Sequence, residues 1–147
     1  MKLLWKLLRK LLWNTSNKFF EQDAYDLSEA RIKLIQTLEN LQRSRHDIKD
    51  YLVAFDYFCE HPDKYDGATI VKDLVDIRQG EYYLDVDAMI HDYEYIMGAN
   101  KSFTKKWTSD RRYIRNMELN GKGVRITRFL ILTISGIVWV PKSILFN

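Results

Sequence analysis

The residue types best suited to chemistry lie together at positions 91–95, which read His-Asp-Tyr-Glu-Tyr. If this stretch is helical, His91 and Tyr95 project from one face, and Asp92 sits about 100° around the helix from the histidine. A base and a metal ligand would then share one cleft. Asp110 follows after a glycine-containing break and could reach back to orient the imidazole. These groups are the minimum for base-assisted, metal-assisted ester hydrolysis; the alternative is a partly buried histidine with solvated carboxylates around it.

The chain has 147 residues, of which 46% are hydrophobic and 14% aromatic. This length and composition predict one folded domain with a real core, rather than two domains or a disordered chain. Cys59 is the only cysteine, so the chain can form no internal disulfide, and the fold must be held by packing or by a metal.

Charge is distributed unevenly along the sequence. Residues 1–20 carry five Lys or Arg and no acid, residues 21–99 carry 8 bases and 18 acids, and residues 100–147 carry 10 bases and 2 acids. Basic ends suit phosphate-bearing surfaces, either lipid headgroups or nucleic acid. The acidic residues in the middle of the chain are suited to binding a cation or to forming ion pairs with the basic ends.

The first 13 residues alternate leucine pairs with basic residues, which predicts an amphipathic basic helix followed by a linker over residues 1–20. Such a helix, about 20 Å long, is too short to span a bilayer but suits a lipid headgroup layer. Docking onto a protein or onto this chain's own core, and removal as a leader, are the alternatives. The expected membrane-binding residues are Trp5, Lys6, Arg9, Lys10 and Trp13.

Residues 21–147 are predicted to form a single, mainly α-helical domain. A helix with a capping pair at Asp26 and Glu29 should run to about His46, and a second should end at Pro62, because proline restricts the residue before it. Residues 63–84 favour an irregular segment with a short strand or hairpin and turns at Gly67 and Gly80.

Three further elements are predicted in the second half of the domain. The helix bearing His91 should run from about residue 85 to residue 98, and the next, capped by Thr108 or Ser109, should end at residues 120–121. Residues 125–140 form an apolar stretch whose uncharged part is too short to span a membrane. We expect a buried or membrane-resting C-terminal helix there.

The central motif resembles a family of small phage-encoded domains of unknown function. The pattern is Asp-Gly-Ala-Thr at residues 66–69, His-Asp-x-x-Tyr at 91–95, and Ser109-Asp110 followed by Tyr113 where the family usually has Ala-Asp-x-x-Phe. The same core is also similar to phospholipase A2, particularly the disulfide-free phospholipase domains of parvovirus capsids, through Asp85, Ala88, His91, Asp92, Tyr95 and Asp110. The resemblance covers about residues 63–120 and implies a phospholipase-like two-helix core.

That resemblance also implies roles for particular residues. His91 would be the base that activates water, Asp110 would hold its tautomer, and Tyr95 would hydrogen-bond that carboxylate. Calcium would be bound by Asp92 and by a loop containing Asp66 and Gly67. The calcium loop of phospholipases of this type usually has a second glycine where this chain has Thr69, so the loop either binds the ion differently, with Asp66, or is degenerate.

The sequence therefore predicts a calcium-dependent, phospholipase-like hydrolase, phage-encoded and peripherally bound to a membrane. One alternative is a noncatalytic virion or membrane-associated structural protein that contacts virion proteins. Another is a nucleic-acid-binding accessory protein that uses the basic stretch 101–128. The enzyme hypothesis requires Asp110 within hydrogen-bond distance of His91 and a histidine that solvent can reach.

Overall fold

A computed structural model of the protein describes residues 18–41, 45–65 and 76–122. The described part is mainly helical, as predicted, with one small sheet. Three sets of predicted residues lie outside it: the membrane-binding residues of the first 13 positions, the loop residues Asp66 and Gly67, and the apolar stretch 125–140. Within the described residues, no helix is long and apolar enough to cross a membrane.

The first two helices build the larger part of the core. Helix α1 spans Ala24–Asn40 and buries Ala30, Leu34 and Leu38 at intervals of four residues, which places them on one face. Helix α2 spans Ile48–Glu60 and ends before Pro62, as predicted.

The boundary between α1 and α2 differs from the prediction. Helix α1 ends at Asn40 rather than near His46, and a capping box starts α2: the Asp47 carboxylate accepts from the Asp50 amide at 2.9 Å, and the Asp50 carboxylate from the Asp47 amide at 3.3 Å. The Arg45 amide donates to Asn116 Oδ1 at 2.6 Å. This long-range contact holds Arg45 outside either helix.

A two-stranded hairpin follows, in the region where the sequence predicted one. Strands β1 (Ile77–Gln79) and β2 (Tyr82–Leu84) pair antiparallel, with Ile77 opposite Leu84. Gly80 lies in the turn with φ +61°, a conformation that favours glycine. The hairpin directs the chain into the next helix.

Helix α3 spans Val86–Ile96, and helix α4 spans Phe103–Leu119. Between them lie Gly98, with φ +107°, and a 3-10 turn at Ala99–Lys101. The sequence placed the start of α4 at Thr108 or Ser109. The helix begins earlier because Ser102, directly after the turn, caps it by accepting from the Lys105 amide at 3.4 Å.

The core lies where α1 and α2 meet the hairpin and the inner face of α3. Its largest fully buried members come from distant parts of the chain: Phe19, Leu34, Tyr51, Phe55, Phe58, Leu84 and Met89. Cys59 packs against this cluster, half-buried, and burial raises the pKa of its thiol to about 11. Helix α4 packs on the other side of α3, so α3 is the central helix and can carry polar groups toward α4.

Candidate active site

His91, Tyr95 and Asp110 meet between α3 and α4. The Asp110 carboxylate oxygen Oδ1 lies 2.8 Å from His91 Nε2 and accepts a hydrogen bond from the Tyr95 hydroxyl at 2.5 Å. The helices are antiparallel, so one turn of α3 faces one turn of α4, and residues 91 and 95 share the face that meets Asp110. The structure therefore brings together all three residues that the sequence singled out as a catalytic set.

Aromatic packing holds the His91 ring in place. Its centroid lies 4.4 Å from that of Tyr95 and 4.8 Å from that of Tyr113. Tyr113 stands one turn after Asp110 on α4 and is itself buried. Because the imidazole packs against two rings, its orientation toward Asp110 is set by packing as well as by hydrogen bonding.

Lys106 completes the surroundings of Asp110, and the sequence analysis did not assign it to the site. Its ammonium donates to Asp110 Oδ2, and both side chains are about 3% exposed. Burial tends to raise the pKa of Asp110, but the hydrogen bonds from His91, Lys106 and Tyr95 outweigh it and leave the pKa lowered. Burial and the Asp110 charge raise the pKa of Tyr95, so its hydroxyl stays a donor.

These contacts determine the histidine tautomer. An ionised carboxylate can only accept hydrogen bonds, so His91 Nε2 must carry the proton that Asp110 accepts. A neutral His91 therefore has an unprotonated Nδ1. That nitrogen makes no hydrogen bond to the residues that the structure describes, which is the arrangement of a base oriented by a carboxylate.

Solvent access to this histidine is limited. His91 is 7% exposed, whereas the enzyme hypothesis required a histidine that solvent can reach. Its neighbour Asp92 is half-buried on α3. Across the described ranges, no group of three or more His, Cys, Asp or Glu side chains could hold a metal ion.

Another polar network, which the sequence pattern did not predict, surrounds Glu94 next to His91, Tyr95 and Asp110. Glu94 accepts from Ser109 at 2.5 Å, lies 2.8 Å from His46 Nε2 and pairs with Arg112 at 3.1 Å. Burial tends to raise the pKa of Glu94, but the hydrogen bonds from His46 and Ser109 leave it lowered. Only the spacing of Ser109 and Arg112 on one helix hinted at this, since His46 comes from a distant loop.

A second cluster missed by the sequence analysis lies at the opposite end of the α3–α4 pair. The Lys122 ammonium contacts three carboxylates, at 2.6 Å from Asp76, 3.1 Å from Asp85 and 2.7 Å from Asp87. Asn120 also donates to Asp87, at 3.0 Å. No local pattern predicts this, because Lys122 comes more than thirty residues after the acids.

The four groups of the Lys122 cluster carry more negative than positive charge. Asp85 and Asp87 are fully buried. Burial and the nearby Asp85 raise the pKa of Asp76 to about 6, although Lys122 acts against this. Burial tends to lower the pKa of Lys122, but the three carboxylates leave it raised.

In comparisons with known proteins, the chain matches no family model, no curated protein and no solved structure. The likeness to phage-encoded domains and to phospholipase A2 is therefore carried by the motif residues alone, and it stays a prediction.

Proposed function

We propose that the protein hydrolyses phospholipid esters at a membrane surface, and that it belongs among phage-encoded proteins that act there. The observation that supports this is the His91–Asp110 pair, in which Nε2 faces an ionised carboxylate and Nδ1 has no hydrogen bond from the described residues. A histidine that acts as the general base in a hydrolase needs one ring nitrogen held by a hydrogen-bond acceptor and the other available to take a proton from water.

The proposed reaction needs one water molecule and one ester. His91 Nδ1 takes a proton from the water, and the hydroxide oxygen adds to the ester carbonyl carbon. The bond between that carbon and the alcohol oxygen then breaks, and the imidazolium returns the proton to the leaving oxygen. The products are a fatty acid and a lysophospholipid. Asp110 stabilises the imidazolium while Tyr95 and Lys106 hold the carboxylate; a positioned base of this kind adds about 10²–10⁴-fold to the rate.

Calcium is part of the proposal through the resemblance described above. When bound, the ion would polarise the ester carbonyl and stabilise the oxyanion. Calcium takes six to eight oxygen ligands, and at the proposed position the described residues offer the half-buried Asp92 carboxylate. By itself this carboxylate does not make a calcium site, and the other proposed ligands, Asp66 and Gly67, lie outside the described residues.

A second candidate is a noncatalytic role in which the same contacts join α3 to α4 in a virion or membrane-associated structural protein. Two observations favour it: His91 is only 7% exposed, and Lys106 neutralises Asp110. A neutralised carboxylate stabilises an imidazolium less than a free one does. The two candidates differ in whether His91 Nδ1 ever meets water and substrate.

The deciding experiment measures fatty-acid release from phospholipid vesicles, with calcium or with a chelator, for the wild-type chain and for His91→Ala. A matched control is His46→Ala, which removes another largely buried histidine that also contacts a carboxylate. Circular dichroism melting of each variant separates loss of fold from loss of chemistry.

If His91 is the base, calcium-dependent fatty-acid release should fall at least about 100-fold in His91→Ala. The His46→Ala variant should release fatty acid at the wild-type rate. Activity that persists in chelator would show that calcium has no part in the reaction, and the role of His91 as base would stand. Folded wild-type protein that releases no fatty acid under either condition, or a folded His91→Ala variant as active as wild type, would contradict the enzyme and leave the structural candidate.

A further inference from the structure

We infer that one end of the α3–α4 pair is a docking surface for anionic lipid bilayers. This surface, called the α3–α4 tip, lies where α3 ends and α4 begins. Half of the large hydrophobic side chains that are exposed in the described residues lie here, with Met97 54% and Phe103 57% exposed. The tip consists of the apolar Ile96, Met97, Phe103 and Trp107 and the basic Lys101, Lys105 and Arg111.

The fold brings the tip residues together. Because α3 and α4 are antiparallel, the last turn of α3 and the first turns of α4 lie at the same end of the pair, joined by the 3-10 turn at Ala99–Lys101. On α4, residues 103, 107 and 111 follow at intervals of four, so Phe103, Trp107 and Arg111 form a stripe along one face. The apolar and the basic residues of the tip therefore all lie toward this one end of the pair.

The charge of the tip is positive and is not compensated locally. Lys101, Lys105 and Arg111 are exposed and make no ion pair with the described residues. Two of the nearest carboxylates in the sequence are engaged elsewhere, since Asp110 is buried against Lys106 and Glu94 pairs with His46 and Arg112. A third, Asp92, is half-buried on α3 and makes no ion pair with the three tip cations. The tip therefore complements a surface of negative charge.

An anionic bilayer fits both properties. Basic side chains meet lipid phosphates, and exposed aromatic and aliphatic side chains enter the boundary between headgroups and acyl chains, where Trp in particular is enriched. Nucleic acid would satisfy the cations and stack on Trp107, but it offers nothing apolar to Ile96 and Met97. The aliphatic residues at the tip favour lipid.

The tip also deepens the proposed function. Lys106, which pairs with Asp110, directly precedes Trp107, so a bilayer bound at the tip would lie within two helical turns of the catalytic set. Only this presentation of the site to its substrate rests on the proposed function; lipid binding itself does not.

The first test follows Trp107 in the full chain, with Trp5, Trp13 and Trp139 replaced by phenylalanine. Vesicles of phosphatidylcholine mixed with phosphatidylglycerol should shift its emission to the blue, and brominated acyl chains should quench it. Vesicle binding with no change at Trp107 would overturn the inference, because another segment would then be the one in contact. Emission that is blue and shielded from acrylamide before lipid is added would also overturn it, because the chain itself would cover the tip.

The second test removes charge. Replacing Lys101, Lys105 and Arg111 with glutamine should weaken binding to the anionic vesicles about 100-fold, at roughly fivefold per cation. The matched control replaces three basic residues elsewhere, Lys49, Lys64 and Arg78, and should change affinity less than about fivefold. Equal losses in the two variants would overturn the inference, as would retention of DNA in place of lipid.

These outcomes are distinguishable from failure of the proposed function. If Trp107 enters bilayers but the protein releases no fatty acid, lipid binding at the tip stands and the hydrolase function is contradicted. A protein that hydrolyses a soluble short-chain ester but never inserts Trp107 would keep the enzyme and contradict the tip.

Discussion

Replacing Asp76 with asparagine should stabilise the protein at neutral pH, even though it removes an ion pair. Asp76 shares the Lys122 ammonium with the fully buried Asp85 and Asp87, so three carboxylates surround one positive charge. Asparagine keeps an oxygen that can accept from the Val86 amide, a contact of 2.8 Å in the wild type. Lys122 keeps its two other carboxylates.

The magnitude follows from the pKa of Asp76, which rises from its usual 3.8 to about 6. A difference of about two units corresponds to about 3 kcal/mol, the free energy by which folding disfavours the ionised form. The asparagine also loses a charged contact to Lys122, so we expect a net gain of about 1–3 kcal/mol in the free energy of unfolding at pH 7.

The pH dependence has a definite sign. Because the pKa of Asp76 is higher in the folded than in the unfolded chain, the folded state binds more protons between about pH 4 and pH 6. Over that window, this group makes the wild type less stable as pH rises. Asp76→Asn lacks this loss, so the stability difference should be largest at pH 7 and smaller at pH 4.

Urea denaturation followed by circular dichroism at pH 4 and pH 7 measures both quantities. Asp56→Asn is the matched control, because it removes a half-exposed carboxylate that pairs with Arg31 at 2.9 Å and should change stability by less than about 1 kcal/mol. An Asp76→Asn variant less stable than wild type at pH 7, or an effect that is equal at the two pH values, would contradict the raised pKa of Asp76.

Three further predictions concern stability, each measured by urea denaturation. Lys122→Gln should cost about 3–5 kcal/mol at pH 7, because it leaves three carboxylates without their cation; a cost below about 1 kcal/mol would show that the cluster is solvated. Asp110→Asn should cost a similar amount at pH 7, because Lys106 loses its buried partner. Since the pKa of Asp110 is lowered in the folded state, the wild type should lose this advantage as pH falls below about 4, and a gap that stays constant in acid would count against the ion pair. Asp47→Ala should cost about 1 kcal/mol through loss of the capping box, and Asp23→Ala, at a helix start without a side-chain cap, should cost clearly less; equal costs would contradict the capping assignment.

Local patterns in the sequence were enough for much of the architecture. The mainly helical class, the end of α2 at Pro62, the hairpin turn at Gly80 and the helix around His91 were all predicted correctly. These features depend on side chains within a few residues of each other, such as a proline that restricts its predecessor or a glycine that accepts positive φ. Spacing on a helix is also local information, so it places His91 and Tyr95 on one face. The choice of Asp110 as their partner depends on its position after the glycine-containing break and on the family resemblance.

Helix boundaries were less accurate where competing caps or distant contacts decided them. Thr108 and Ser109 are acceptable caps by type, but Ser102 stands earlier and caps α4 first. The sequence predicted that α1 runs to about His46. His46 instead makes a hydrogen bond to Glu94, which lies on a helix almost fifty positions later in the chain. A propensity of a few tenths of a kcal/mol per residue does not override such contacts.

Only the tertiary structure determined how the charges are paired. That Lys106 neutralises Asp110, that Lys122 lies among three aspartates and that His91 is 7% exposed all depend on how α3 and α4 pack. Helical periodicity predicts which residues share a face of a helix. Which face is buried, and which other segment packs on it, depends on the tertiary structure. The sequence determined the chemical groups on each helix, and packing determined their partners, because burial and charge pairing arise between segments that are far apart along the chain.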